Sequence, residues 1–404
     1  MKILYFGSAC DKEWFDNLAR YNAMPYQVAQ YMFEMGLLNG FSCFDDVQME
    51  IYYVLQEPYY PRGKLRYRPR IRRLNERYYV SYLAGINLPV LKEISYFWQG
   101  MLRTIKWSLS NRKTDNKLII TPFNYVPLSL GIYLIARMFK INRLNFFTDM
   151  SNDIMTPARQ QNMIWLKRIV LPQYKKLVQM LDTSFDLYVL FARAMNEIVN
   201  PYKKPYLVME GIFSNNLDLA KVSKAKAIMY AGTLSFEYGV KTIIDAFDGI
   251  EDDSLQLWLF GNGDMNDYIQ EVCRRDCRVT FFGFKSREEV FEYEKKAALL
   301  INIRNPEDQY TRYSFPSKVF EYMASGTPFL TTKIEGIPEE YYDYVYTVEN
   351  NEIDSVKRRI EEILSLPQSE LDEFGEKASH FIIDNKNQIS QAQKLMEFIG
   401  LYNE

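Results

Sequence analysis

The groups best suited to chemistry crowd between Arg304 and Gly326, where Arg304, Glu307, Asp308, Ser317, Lys318 and Glu321 stand close together. A polar loop leads to Pro316, a residue suited to a first helical turn, then to Ser317 and Lys318, with Glu321 three positions further on. Residues three apart share a helix face, so Lys318 and Glu321 can address one ligand together. An ammonium at a helix N-terminus suits a diphosphate, and a carboxylate can accept from both hydroxyls of a ribose. A solvated Lys–Glu pair on an ordinary helix has the same spacing, so spacing alone leaves both readings open.

Two glycine-rich turns could join that site. Gly232-Thr-Leu-Ser-Phe-Glu-Tyr-Gly239 follows an apolar run and opens a helix, so its backbone N–H groups could meet phosphate. Its spacing is neither of the two common nucleotide fingerprints, and a plain structural turn explains it equally. The same pair of readings applies to Gly261-Asn-Gly263. In the first half, the run Asn145-Phe-Phe-Thr-Asp-Met-Ser-Asn-Asp153 ends on two carboxylates. Asp149 could accept a proton from an attacking hydroxyl or cap the next helix.

Residue supply narrows the chemistry. His380 is the single histidine, which excludes His-rich metal sites and mechanisms with two imidazoles; it reads as a packing or capping residue. Four scattered cysteines do not make a disulfide framework and fit a reducing cytoplasm. The apolar start Ile3-Leu4-Tyr5-Phe6 gives way to Asp11, Lys12 and Glu13, unlike a secretory signal. The best apolar candidate, Leu128 to Phe139, contains Arg137 and falls short of the roughly 20 residues that span a bilayer.

These groups need a scaffold, and the apolar runs supply one. Strand-length runs occur at 2–7, 117–122, 144–149 and 187–191, then at 227–232, 255–261, 279–283, 299–303 and 327–331, each followed by a segment of helical spacing. The pattern predicts an α/β chain of two Rossmann-like, doubly wound parallel-sheet domains, with ligands at the strands' carboxyl ends. With 404 residues there is room for both. The boundary is placed at Asn200-Pro-Tyr-Lys-Lys-Pro205, giving domains 1–200 and 201–387, and a helix from about 388, with Ile389, Ala392, Leu395, Met396 and Ile399 on one face, that can pack back on the first domain. Charge changes sign there: residues 1–200 hold 26 Lys and Arg against 16 Asp and Glu, leaving 23 against 35 for the rest. The first domain therefore suits an anionic partner.

Within it, Arg62, Lys64, Arg66, Arg68, Arg70, Arg72, Arg73 and Arg77 face one acid, Glu76, with Tyr67, Tyr78 and Tyr79 interleaved. Trp-bearing basic segments at 98–107 and 165–176 favour a lipid interface over nucleic acid. Arg66, Arg68, Arg70, Arg72 and Arg73 are accordingly expected to face an anionic membrane, on the inner leaflet's side.

Residues 314–326, Ser-Phe-Pro-Ser-Lys-Val-Phe-Glu-Tyr-Met-Ala-Ser-Gly, resemble the donor-binding signature of family 4 retaining glycosyltransferases of GT-B fold, of the bacterial capsular and exopolysaccharide type. Tyr230-Ala-Gly-Thr-Leu234, Leu259-Phe-Gly-Asn-Gly263, Phe282-Gly283, Ile301-Asn-Ile-Arg304 and Gly336-Ile-Pro-Glu-Glu340 extend the resemblance, which covers about half the chain well. It implies two domains facing a cleft, and retaining transfer from a nucleotide-diphosphate sugar to a carbohydrate or polyprenyl-pyrophosphate-linked acceptor, without metal or other cofactor. It implies that Glu321 binds the ribose, that Lys318 and Ser317 bind the diphosphate, that the turns at Gly232, Thr233, Gly261 and Gly263 line the donor, and that Gly7-Ser8 is a small-residue loop on the acceptor side. Asp149 falls where such enzymes place a polar group near sugar and acceptor.

Three positions depart from the pattern. Tyr313 stands where a sugar-contacting Glu is usual, which shifts that role to Glu307 or Asp308; Thr233 replaces an Arg and Tyr238 a Lys, which leaves Arg304 and Lys318 to carry the diphosphate charge. A catalytically silent GT-B subunit that scaffolds a partner is the alternative from another class. A nucleotide-sugar epimerase fits less well, because such enzymes need several acid/base groups including His.

Overall fold

The computed structural model describes residues 1–21, 28–54, 58–148, 165–213, 219–220 and 222–402, arranged in two compact units. The first comprises Met1–Phe191, Met195–Ile212 and Gln388–Glu404; the second comprises Ala192–Ala194 and Phe213–Asn387.

The first unit is built on β1 (Lys2–Gly7), whose last five residues are buried, as a strand covered on both faces requires. Parallel neighbours flank it: β2 (Gln48–Tyr53) on one side, and β7 (Lys117–Thr121), β8 (Asn142–Phe147), β9 (Leu187–Leu190) and β10 (Tyr206–Val208) on the other. Beyond β2 lie β5 (Tyr79–Tyr82) and the antiparallel edge strand β4 (Arg70–Arg73), completing eight strands; β3 (Arg66–Tyr67) and β6 (Gly85–Ile86) form a separate pair. Strand order reverses between β1 and β7, which makes the loops after these two strands the natural ligand edge. Helices α1 (Lys12–Tyr21), α2 (Val28–Ser42), α3 (Leu91–Ser110), α4 (Val126–Phe139), α5 (Trp165–Asp182) and α6 (Met195–Val199) belong to this unit.

The second unit has six parallel strands, β11 (Ala227–Ala231), β12 (Gln256–Phe260), β13 (Val279–Gly283), β14 (Leu299–Asn302), β15 (Phe329–Thr332) and β16 (Tyr346–Val348), ordered β13-β12-β11-β14-β15-β16. Its reversal falls between β11 and β14. Connecting helices are α7 (Val240–Asp248), α8 (Asn266–Arg275), α9 (Arg287–Lys296), α10 (Gln309–Arg312), α11 (Lys318–Ala324), α12 (Ile353–Leu364) and α13 (Gln368–Asn385). Helix α9 starts on a reciprocal cap: the Ser286 hydroxyl accepts from Glu289 N–H, and the Glu289 carboxylate accepts from Ser286 N–H, both at 3.2 Å.

All nine expected strands are present, and the doubly wound class is as read. The unit boundary differs. β10 pairs in parallel with β9, so the Pro205 region belongs inside the first unit and the change falls at Ile212/Phe213. The last helix, α14 (Gln388–Tyr402), lies in the first unit against α2, where a Cβ on Gly40 would come within 2.1 Å of the Gln388 carbonyl oxygen. Its buried face uses Gln391 and Phe398 in place of Ile389, because Gln391 Nε2 donates to the Gly211 carbonyl at 2.8 Å. His380 is exposed on α13 and does not pack into the core. Among the described residues no helix is long and apolar enough to cross a membrane.

Candidate functional site

Lys318 and Glu321 do come together at the start of α11, and they are not a solvated pair. Their side chains are 28% and 16% exposed, with Nζ 2.5 Å from Oε2. Helix α9 supplies two further groups, two turns apart on one face: Arg287 Nε donates to Glu321 Oε1, and Glu294 Oε1 lies 3.5 Å from Lys318 Nζ. The result is an alternating chain, Arg287–Glu321–Lys318–Glu294. Tyr322 fixes its place by accepting from Ala231 N–H at 2.7 Å, which ties α11 to the carboxyl end of β11.

Burial opposes every charge in this chain, and the neighbours decide the outcome. For Lys318, Glu294 and Glu321 outweigh desolvation and hold the ammonium above the ordinary Lys value. For Glu321, Lys318 and Arg287 outweigh it and pull the carboxyl down. Glu294 is fully buried, and there desolvation wins despite Lys318, raising its pKa to about 7. Its Oε2 finds no hydrogen-bond partner among the described residues. Sequence reasoning missed Arg287 and Glu294; their only signal was opposite charges seven apart on one helix.

Arg304 follows β14 at the strand-order reversal. Its guanidinium lies 5.2 Å from the ring centre of Tyr238 and 5.7 Å from that of Tyr310, while Tyr310 donates its hydroxyl to the Glu237 carbonyl at 2.9 Å. Tyr238, which stands where the resemblance led us to look for Lys, thus helps to stack Arg304 against the β11 turn. The glycines are explained by close approach: a Cβ on Gly261 would lie 1.8 Å from the Gly232 oxygen, one on Gly263 2.0 Å from the Leu234 oxygen, and one on Gly239 1.9 Å from the Ile303 oxygen. Gly239 also adopts φ +73°. Thr233 is exposed between these turns. Arg304 and Lys318 are held by different elements, the first by the β11 turn and the second by α9.

Pro316 precedes α11, which begins at Lys318, and Ser317 is exposed. Tyr313 is buried, so the usual Glu position is turned into the protein. Glu307 is exposed; Asp308 Oδ1 accepts from Asn305 Nδ2 at 3.0 Å. Among the described residues no group of three or more His, Cys, Asp or Glu side chains could hold a metal ion.

In the first unit, Gly7 ends β1 and Ser8 follows it, but both serve a buried carboxylate. Glu34 of α2 accepts from Ser8 N–H at 2.8 Å, Ala9 N–H at 3.1 Å, Ser8 Oγ at 2.5 Å, Tyr5 Oη at 2.9 Å and Gln30 Nε2 at 3.0 Å. A Cβ on Gly7 would lie 2.2 Å from Glu34 Oε2, so the close approach requires glycine. Burial raises the Glu34 pKa against the pull of these hydrogen bonds. Asp149 lies outside the described residues. The arginines expected on a membrane divide: Arg66, Arg68, Arg72 and Arg73 are exposed, with Arg73 donating to the Asn75 and Glu76 carbonyls, whereas Arg70 lies over the rings of Trp14 and Tyr82, 3.9 and 4.2 Å from their centres. Arg70 therefore faces the protein.

Two doubly wound, mainly parallel sheets in one chain fit the GT-B architecture. Residues 215–398, which take in most of the second unit and the start of α14, match the family profile described as Glycosyl transferases group 1. A 120-residue stretch is 28% identical to an uncharacterized glycosyltransferase of Methanocaldococcus jannaschii, spanning 28% of this chain and 29% of that protein. Among solved structures, HepE of Anabaena in complex with UDP superposes with a TM-score of 0.61 at 14% identity, covering 99% of this chain and 100% of that one. The lipopolysaccharide outer core galactosyltransferase WaaB gives 0.60 at 13% identity, covering 99% of each chain. At such identities the likeness is one of fold.

Proposed function

We propose that this chain is a retaining glycosyltransferase that moves a sugar from a nucleoside-diphosphate sugar to a carbohydrate or polyprenyl-pyrophosphate-linked acceptor in cell-surface polysaccharide synthesis. The chain works in the cytoplasm, peripheral to the inner face of the plasma membrane. The observation that carries the reading is the half-buried Arg287–Glu321–Lys318–Glu294 chain on α9 and α11, inside a glycosyltransferase group 1 domain.

Binding exchanges partners within that chain. Ribose hydroxyls donate to Glu321, and the donor diphosphate takes up the Lys318 ammonium, while Glu294 remains as its counter-charge. As the sugar–phosphate bond breaks, negative charge builds on the leaving diphosphate, where Lys318 and Arg304 stabilise it without a metal. Glu307 or Asp308 holds donor-sugar hydroxyls in place of the Glu lost at Tyr313. Asp149 accepts the acceptor's proton; Asp149→Asn should spare donor binding and lower turnover. Buried Tyr313 favours one rival, a catalytically silent scaffold subunit.

Thermal stabilisation by a panel of nucleotide sugars, UDP-sugars first, followed by release of nucleoside diphosphate with and without lipid extract, tests the reading. Stabilisation with acceptor-dependent release supports it. Absence of release in the presence of extract, with or without stabilisation, indicates the scaffold and removes the transferase.

A further inference from the structure

Helix α3 exposes an apolar stripe in addition to the face it turns to the core. Its buried face includes Tyr96, Gly100, Thr104, Trp107 and Ser108, yet Leu91, Ile94, Trp98, Leu102 and Leu109 are between 49% and 59% exposed. These five recur at helical spacing along one outer stripe, joined there by exposed Lys106. Glycine marks the close approach of α4: a Cβ on Gly100 would lie 2.6 Å from the Leu128 oxygen, and one on Gly131 2.3 Å from the Phe97 oxygen. The outer stripe is left with no cover among the described residues. Helix α4 adds Leu134 and Met138, 44% and 64% exposed, and Val90 precedes α3 at 66%.

Charge selects the occupant. Residues 88–141 hold eight Lys and Arg against two acids, Glu93 and Asp115. Lys106, Arg112, Lys113, Arg137 and Lys140 are exposed, whereas Glu93 turns to the hydroxyls of Tyr59 and Tyr125. A second copy of this chain would bring like charges together. We propose that the α3–α4 face docks on an anionic lipid surface, with the α3 stripe at the acyl boundary, Trp98 among the headgroups and the cations on lipid phosphates. The twenty residues of α3 run about 30 Å, so the helix lies along the interface and does not cross it. The α3 stripe includes none of the arginines of β3 and β4, and its test needs no transfer reaction.

The full chain is sedimented with phosphatidylcholine vesicles, with and without phosphatidylglycerol, at low and high salt. The wild type should bind the anionic vesicles, less at high salt. Ile94→Ser/Trp98→Ser/Leu102→Ser should weaken binding at least tenfold with an unchanged thermal midpoint, and the milder Leu102→Ser about threefold. Arg66→Gln/Arg68→Gln/Arg72→Gln should stay within about threefold of wild type. Wild-type binding by Leu102→Ser and the triple serine variant alike would overturn the proposal. So would a wild type that ignores anionic vesicles, or self-association in sedimentation velocity that the serine variants abolish, which would make the face a contact between copies.

Discussion

Two buried carboxylates, one in each unit, set the two halves of this molecule apart. Glu34 is surrounded by five donors, two of them backbone N–H groups of the loop after β1. Glu294 has one ammonium at 3.5 Å and an oxygen with no partner among the described residues. A fully satisfied carboxylate fixes a loop, whereas an incompletely satisfied one beside a partly exposed cation can share that cation with a ligand. The first unit thus uses its buried charge to hold shape, and under the proposed function the second uses its own to prepare for binding.

The largest effect should come from emptying the better-satisfied site. Glu34→Ala leaves the Ser8 and Ala9 N–H groups and the Tyr5 hydroxyl without their acceptor, and should cost on the order of 3 kcal/mol by denaturant unfolding. Glu34→Gln keeps the shape but turns two N–H donors toward others, and should cost less. A loss below about 0.5 kcal/mol for Glu34→Ala would erase the contrast.

Next is Glu321→Ala, which under the proposed donor role removes charge-assisted hydrogen bonds to the ribose, each about 1.5 to 3 kcal/mol, and should weaken a nucleoside diphosphate roughly 10- to 100-fold while the fold survives. A smaller, pH-dependent effect belongs to Glu294. Its carboxyl titrates near 7 when folded and near 4.3 when unfolded, so between these values the folded state binds the extra proton. Stability should therefore fall as pH rises through that window, by on the order of 1 to 3 kcal/mol. Glu294→Gln should flatten the slope in thermal midpoint between about pH 5 and pH 8; an unchanged slope would assign it to other groups. The smallest effect should come from Arg72→Gln on the exposed edge strand, within about 0.5 kcal/mol of wild type.

Legibility in the sequence followed the same division. Strands buried on both faces are near-continuous apolar runs, so β1, β7, β8 and β9 and the first five strands of the second sheet were readable, the edge strand β13 among them. The rest were not: β2 opens on Gln-Met-Glu and is buried only over its last three residues, β10 and β16 have three residues each, and β4 reads Arg-Ile-Arg-Arg, a charged run that pairs only because β5 offers it a backbone. Lys318 and Glu321 were readable because they lie three apart on one helix. Arg287 and Glu294 reach them from a different helix, which local spacing cannot report. Glu34 was invisible for the same reason, since an acid in the apolar helix α2 gains its meaning from the loop after β1. The inward turn of Arg70 depended on Trp14, far away in sequence, and on Tyr82, its cross-strand partner on β5.

The central claim is that Lys318 and Glu321 form the donor site, and calorimetric titration of UDP and uridine into wild type, Lys318→Ala and Glu321→Ala tests it most directly. We predict that the wild type binds UDP more tightly than uridine, that Lys318→Ala removes most of that difference, and that Glu321→Ala weakens both ligands. Equal affinities for UDP across all three proteins would contradict the account.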